Sequence, residues 1–172
     1  MRRPKSLVLV LELVVVFSVR AAALQDASSC SAHHAGVDER GDHVMGFDHA
    51  KTTHQFTLTV TGGVIAVSAN DPEDAASRDA IRGHLSHIAV MFEDGDFEAP
   101  MLIHDRVPPG VPVMKEKKTS IRYAYEDTAA GGRIVISTGD PAALAAIHDF
   151  LRFQISDHET GDSPRVQPEP SK

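Results

Sequence analysis

The chain has 172 residues, 17 basic and 24 acidic side chains, a formal charge of −7 at neutral pH, ten histidines and one cysteine. That length suits one domain with a real core, without disulfide or metal staples. The acidic balance argues against nucleic acid and anionic lipid as partners, and a lone cysteine cannot form an internal disulfide.

The chain begins with basic Met1-Arg2-Arg3-Pro4-Lys5, continues in the almost wholly apolar run Leu7 to Val19, and then offers small residues at Ala21-Ala22-Ala23. This is the order of a secretory signal peptide over residues 1–23, with an apolar run short for a spanning helix. The expected destination is periplasmic or extracellular, with no stable membrane span after cleavage; Glu12 and Arg20 are the irregular features, and an uncleaved anchor is the alternative. Cleavage there removes four basic residues and one acidic residue, leaving 13 against 23 and a charge of −10. Ala27-Ser28-Ser29-Cys30 is only a faint likeness to a lipoprotein cleavage site, because leucine is missing three residues before the cysteine.

Residues 24–53 are poor in apolar side chains and read as a flexible histidine-containing arm, with Val44, Met45 and Phe47 able to pin its end to the domain. The folded domain is expected over residues 54–161. Phe56, Leu58 and Val60 alternate with threonines, Gly62-Gly63 reads as a turn, and Val64 to Ala69 returns as a second strand. Asp71-Pro72 starts a helix, on which Ile81, Leu85, Ile88 and Phe92 form one apolar stripe. The order then repeats. Ile121, Tyr123 and Tyr125 alternate with other residues, Gly131-Gly132 turns the chain, Ile134 and Ile136 return, and Asp140-Pro141 opens a helix carrying Leu144, Leu151 and Ile155. Two ββα units related by a pseudo-twofold axis predict an α+β fold, with a four-stranded antiparallel sheet and two helices on one face. Between the units, residues 94–118 form a linker in which four prolines argue against regular structure, although its apolar content predicts that it packs along the domain. Residues 162–172 read as a disordered tail.

No nucleophile elbow, His-Glu-x-x-His helix, Cys-x-x-Cys pair or phosphate-binding glycine loop is present, which argues against a known class of enzyme. Ten histidines with one cysteine point instead to metal held through imidazole. His84 and His87 lie three apart on the first helix with Met91 four further on, a set that suits copper or zinc. His148 falls within the second apolar stripe, where a histidine must be paired or neutral, and Tyr123 or Tyr125 could pair it. His104 lies in the apolar linker beside Asp105, which could orient its ring. The expected metal ligands are therefore His84, His87, His104 and His148. His54 shares a strand face with Phe56 and Leu58 and raises the same question. The other reading is a non-enzymatic interaction module of the cell envelope, with incidental histidines, an apolar linker and Phe150 and Phe153 facing a partner or a second copy in a homodimer.

From Val37 to Asp162 the chain resembles a family of uncharacterised, histidine-rich exported bacterial proteins. The resemblance rests on residues 36–42, Met45-Gly46-Phe47, Thr52-Thr53-His54, Val107-Pro108-Pro109-Gly110-Val111 and Phe150-Leu151-Arg152-Phe153-Gln154-Ile155. It implies export from a bacterium and no particular activity. It also implies a second histidine after His54, where this chain has Gln55.

Overall fold

Two hairpins of equal strand length form the sheet. In the computed structural model, which describes residues 33–168, β1 (Thr52–Thr59) pairs with β2 (Gly62–Ala69), and β3 (Ile121–Thr128) pairs with β4 (Gly131–Thr138). The sheet is antiparallel throughout, in the order β1-β2-β4-β3, so the two units join through β2 and β4. The turns fall at residues 60–61 and 129–130, one step before each glycine pair. The glycines open the returning strands instead, because the approach there is too close for a side chain. A Cβ on Gly62 would sit 2.1 Å from the Ile136 carbonyl oxygen, and one on Gly131 would sit 2.2 Å from that of Val67.

The helix α2 (Ala75–Glu93) follows the first hairpin and α5 (Pro141–Asp157) follows the second. The first expected stripe is buried, with Ile81, Leu85, Ile88 and Phe92 facing the sheet from α2; on α5 Leu151 and Ile155 are buried as expected, whereas Leu144 is only half-buried and Ala143 and Ile147 complete the face. Asp140 caps α5 by accepting from the Ala142 and Ala143 amides, with Pro141 in the first turn. The cap of α2 is Asp74, which accepts from Ser77 N, whereas Asp71 and Pro72 lie in a turn before it. Each helix lies largely over the other unit's hairpin, α2 on β3 and β4 and α5 on β1 and β2.

The pseudo-symmetry reaches individual side chains. Arg82, eight residues after the Asp74 cap, donates at 2.7 Å to the carbonyl of Thr128, the last residue of β3. His148, eight residues after the Asp140 cap, donates through Nε2 at 2.9 Å to the carbonyl of Thr59, the last residue of β1. Thr59, not either tyrosine, is the partner of this buried ring.

The linker differs from its expectation. Helices α3 (Glu98–His104) and α4 (Val111–Glu116) form there because Pro100 and Pro112 occupy first turns, where a missing N–H breaks no helical bond. It does pack along the domain: Phe97, Val111 and Met114 are fully buried. In the expected arm, residues 33–45 are helical (α1), with Val37 buried and Val44 and Met45 packed on the core, followed by buried Phe47. The spacing of Val37, Gly41, Val44 and Met45 is that of one helix face. Phe150 is buried against Phe92 and Phe97. In the expected tail, the Asp162 carboxylate accepts from Phe56 N, and Gln167 N donates to Leu58 O, so the described part covers the outer edge of β1.

The chain divides at Gly36, and the unit from Val37 onward carries the whole sheet. The expected signal peptide and Cys30 lie outside the described residues. No helix among the described residues is long and apolar enough to cross a membrane.

Replacing His148 with leucine strips the Thr59 carbonyl of its donor and should cost about 1–2 kcal/mol of stability. Urea denaturation at pH 7.5, where the loss would lower the midpoint at an unchanged slope, checks this.

Candidate functional site

One end of the sheet carries four histidines from four separate elements. His54 is the third residue of β1 and points to the helix side with Phe56 and Leu58. His84 lies on the edge of the α2 stripe, His104 is the last residue of α3, and His158 caps the C-terminus of α5. All four line a cavity of about 70 Å³, together with Met45, Gln154 and otherwise apolar side chains.

The rings form a chain of contacts. His54 and His158 stack with centroids 5.6 Å apart and planes 2° from parallel. His104 meets His158 edge-on at 4.9 Å, and His84 meets Phe47 edge-on at 5.7 Å. The rings of His54, His84 and His158 make no hydrogen bond among the described residues. Only His104 is fixed by hydrogen bonds. Its Nδ1 donates to Asp157 Oδ2 at 2.6 Å, and its Nε2 lies 3.0 Å from the amide of Gln154. Asp157 also accepts from Arg106 at 2.9 Å, whose guanidinium stands 5.0 Å from the Phe153 ring centroid. Asp105, the sequence neighbour expected to orient His104, instead ends α3 in the left-handed region at φ 52°.

Burial sets the protonation of this group. Loss of water pushes His54 down to about 4, with a further lowering by the neighbouring His84 and His49. His84 falls to about 4, by burial first and then by His87. His158 falls to about 3, through burial and the nearby His104 and His54. His104 is lowered by burial against the opposing pull of its bonds to Asp157 and Gln154. At neutral pH the site is a row of uncharged imidazoles, each keeping one nitrogen lone pair. A neutral His104 that donates from Nδ1 must accept at Nε2, so the Gln154 amide turns its NH₂ to the ring. One end of that amide, 5% exposed with its residue, then has no partner among the described residues.

A polar vestibule of about 210 Å³ adjoins the cavity. Asp38, His49, Thr52, Thr53 and Thr160 line it, and it shares Met45, His54 and His158 with the inner cavity. At its rim Asp42, Asp48 and His49 bring one ligand atom each within 4.8 Å of one another, an arrangement that could hold a metal ion; among the described residues no three of the cavity histidines come together so closely. The carboxylate of Asp42 holds His49 Nδ1 at 2.9 Å and, with Asp38 and Asp48 nearby, raises its pKa.

Of the four residues singled out in the sequence, His84 and His104 share the cavity. His87 is exposed on α2, and His148 lies ten residues before His158, about 15 Å along α5 at 1.5 Å per residue. Sequence reasoning passed over His158 and treated Met45 only as packing. The signal for His158 was its spacing of seven and three from Leu151 and Ile155, which continues the buried stripe by one turn.

Against known protein families, curated proteins and solved structures, the chain finds no match.

Since the three unbonded rings are held neutral, the unfolded chain binds protons first as pH falls below about 6.5. Stability is therefore full above that pH and drops towards the lowered folded values, each ring contributing up to about 1.4 kcal/mol per pH unit in the window. Unfolding midpoints measured between pH 7.5 and 4.5 should decline, and His158→Leu should flatten the decline. A variant with the same slope as the parent would show that His158 titrates normally.

Proposed function

We propose that the chain is an exported metal-binding protein that holds copper or zinc on the imidazoles of His54, His84, His104 and His158. The observation that carries this reading is that four neutral histidines from β1, α2, α3 and α5 line one cavity. A metal ligand must be deprotonated at the donor nitrogen, and these rings meet that condition at neutral pH without proton competition. The rings of His54, His84 and His158 are half-buried and make no hydrogen bond among the described residues, which leaves a nitrogen of each free for an ion.

The arrangement of His104 supports the same reading. A ring whose far nitrogen donates to a carboxylate is fixed in tautomer and orientation and is a more basic ligand once its Nε2 leaves the Gln154 amide for the ion. Asp157 supplies that carboxylate, and Arg106 holds the carboxylate in turn. Closing the site around an ion requires His54 and His158 to turn out of their parallel stack. Ring contacts alone hold them, each worth about 1 kcal/mol, well below the binding free energy of a transition metal in such a site. The rim group of Asp42, Asp48 and His49 favours capture over storage, because its imidazole is raised in pKa and already occupied by Asp42.

Export remains part of the proposal, on the basic start, apolar run and alanine cluster of residues 1–23. Full-length protein expressed in a bacterium should appear outside the cytoplasm with a new N-terminus near Leu24, as read by mass spectrometry.

Untagged protein should take up one equivalent of copper or zinc when titrated at pH 7. The pair His54→Ala and His158→Ala, made together, should weaken binding by about 100-fold or more, whereas His49→Ala should lower affinity far less. Equal affinity in the double variant and the parent would remove the cavity as the site.

A further inference from the structure

Resting on the reading of the cavity as a metal site, we propose that its cargo is the cuprous ion, held by the Met45 thioether together with the imidazoles of His54, His84 and His158. Charge is the first argument. No carboxylate among the described residues lines the cavity. The carboxylate of Asp157 stands behind His104, and the Arg106 guanidinium at 2.9 Å already meets its charge. An ion in such surroundings keeps its charge largely uncompensated. The cost of taking it out of water rises with the square of that charge, so a monovalent ion pays about a quarter of what a divalent ion of equal size would. Zn²⁺ and Cu²⁺ are ordinarily balanced by thiolate or carboxylate ligands where water is excluded, and the described lining offers neither.

The donor set is the second argument. Thioether sulfur and neutral imidazole are ligands suited to Cu⁺, whereas a thioether adds little to Zn²⁺. Met45 lies on the last turn of α1 and lines both the cavity and the vestibule, as do His54 and His158. An ion arriving past Asp38 and His49 therefore meets a sulfur and two uncharged rings before it meets the apolar floor formed by Ile65, Val67 and Phe92.

Competition under nitrogen tests this with the untagged protein at pH 7, using Cu⁺ against bicinchoninate and Zn²⁺ against a fluorescent chelator. Cu⁺ should be held at least about 100-fold more tightly than Zn²⁺. Met45→Leu, a swap that nearly conserves volume, should weaken Cu⁺ by about tenfold or more and leave Zn²⁺ within about twofold. Zn²⁺ or Cu²⁺ bound as tightly as Cu⁺, or Cu⁺ affinity unchanged in Met45→Leu, overturns the inference while the metal-site reading stands. Failure of the parent protein to bind any of the three overturns both. Should Met45→Leu not fold, X-ray absorption of the copper-loaded parent decides the point: copper–sulfur scattering is expected, and a shell of nitrogen alone overturns the inference.

Discussion

The close seam between β2 and β4 is the contact on which the rest of the molecule depends. Each strand begins with a glycine pair that lies against the far part of the other: Gly62 and Gly63 face Ser137 and Ile136, and Gly131 and Gly132 face Ser68 and Val67. A side chain at Gly62 or Gly131 would strike the neighbouring backbone, so the seam closes only with glycine there. Once it is closed, each helix crosses onto the other unit's hairpin, and Arg82 and His148 tie each helix to the end of a strand in the opposite unit. Neither ββα unit has a complete core alone, because the cover for its hairpin comes largely from the partner unit.

This symmetry also explains where the site lies, because the site is where the symmetry fails. His54, third in β1, corresponds to Tyr123, third in β3, and His84, ten residues after its helix cap, corresponds to Phe150. On the second unit's side these positions hold aromatic rings that pack with Phe92 and Phe97. At the first unit's end the same positions hold imidazoles, and α1 and α3 bring Met45 and His104 to them. The duplicated frame thus supplies two equivalent places, one of them filled as core. In the other, aromatic packing is replaced by rings whose burial opposes their charged form, a substitution that weakens the fold at acid pH and has no compensating hydrogen bonds at His54, His84 or His158.

The repeat was legible in the sequence because period-2 alternation, glycine pairs and Asp-Pro caps are local signals. Turn positions were less so: a glycine pair between two strands reads as a turn when its real role is a close approach to a strand of the other unit. The linker prolines misled for a related reason, since the rule against proline in helices lapses in the first turn, and α3 and α4 are little longer than one or two turns. At the site, His84 and His104 were found from their own surroundings, one on a stripe edge and one in an apolar stretch. The carboxylate that orients His104 was not, because Asp157 is 53 residues distant and Asp105 is adjacent. His148 looked like a ligand for the same reason that it is buried. Only the symmetry with Arg82 gives its ring a structural partner, and that relation is invisible until the hairpins are placed.

The rim and the cavity differ in how carboxylates and burial act on their imidazoles. At the rim, Asp42 and the neighbouring carboxylates stabilise the charged form of His49, and its pKa rises. A few residues inward, His54 lies in the wall shared by vestibule and cavity, and loss of water lowers its pKa to about 4. The outer ring therefore holds a proton more readily than the inner one, and protons compete more for the rim than for the cavity. On the proposed reading the gradient has a direction: carboxylates outside attract a hydrated cation by charge, and neutral nitrogen and sulfur inside replace its water. On that reading the stacked pair of His54 and His158, which lines both vestibule and cavity, stands where the two meet, and no hydrogen bond among the described residues holds its rings.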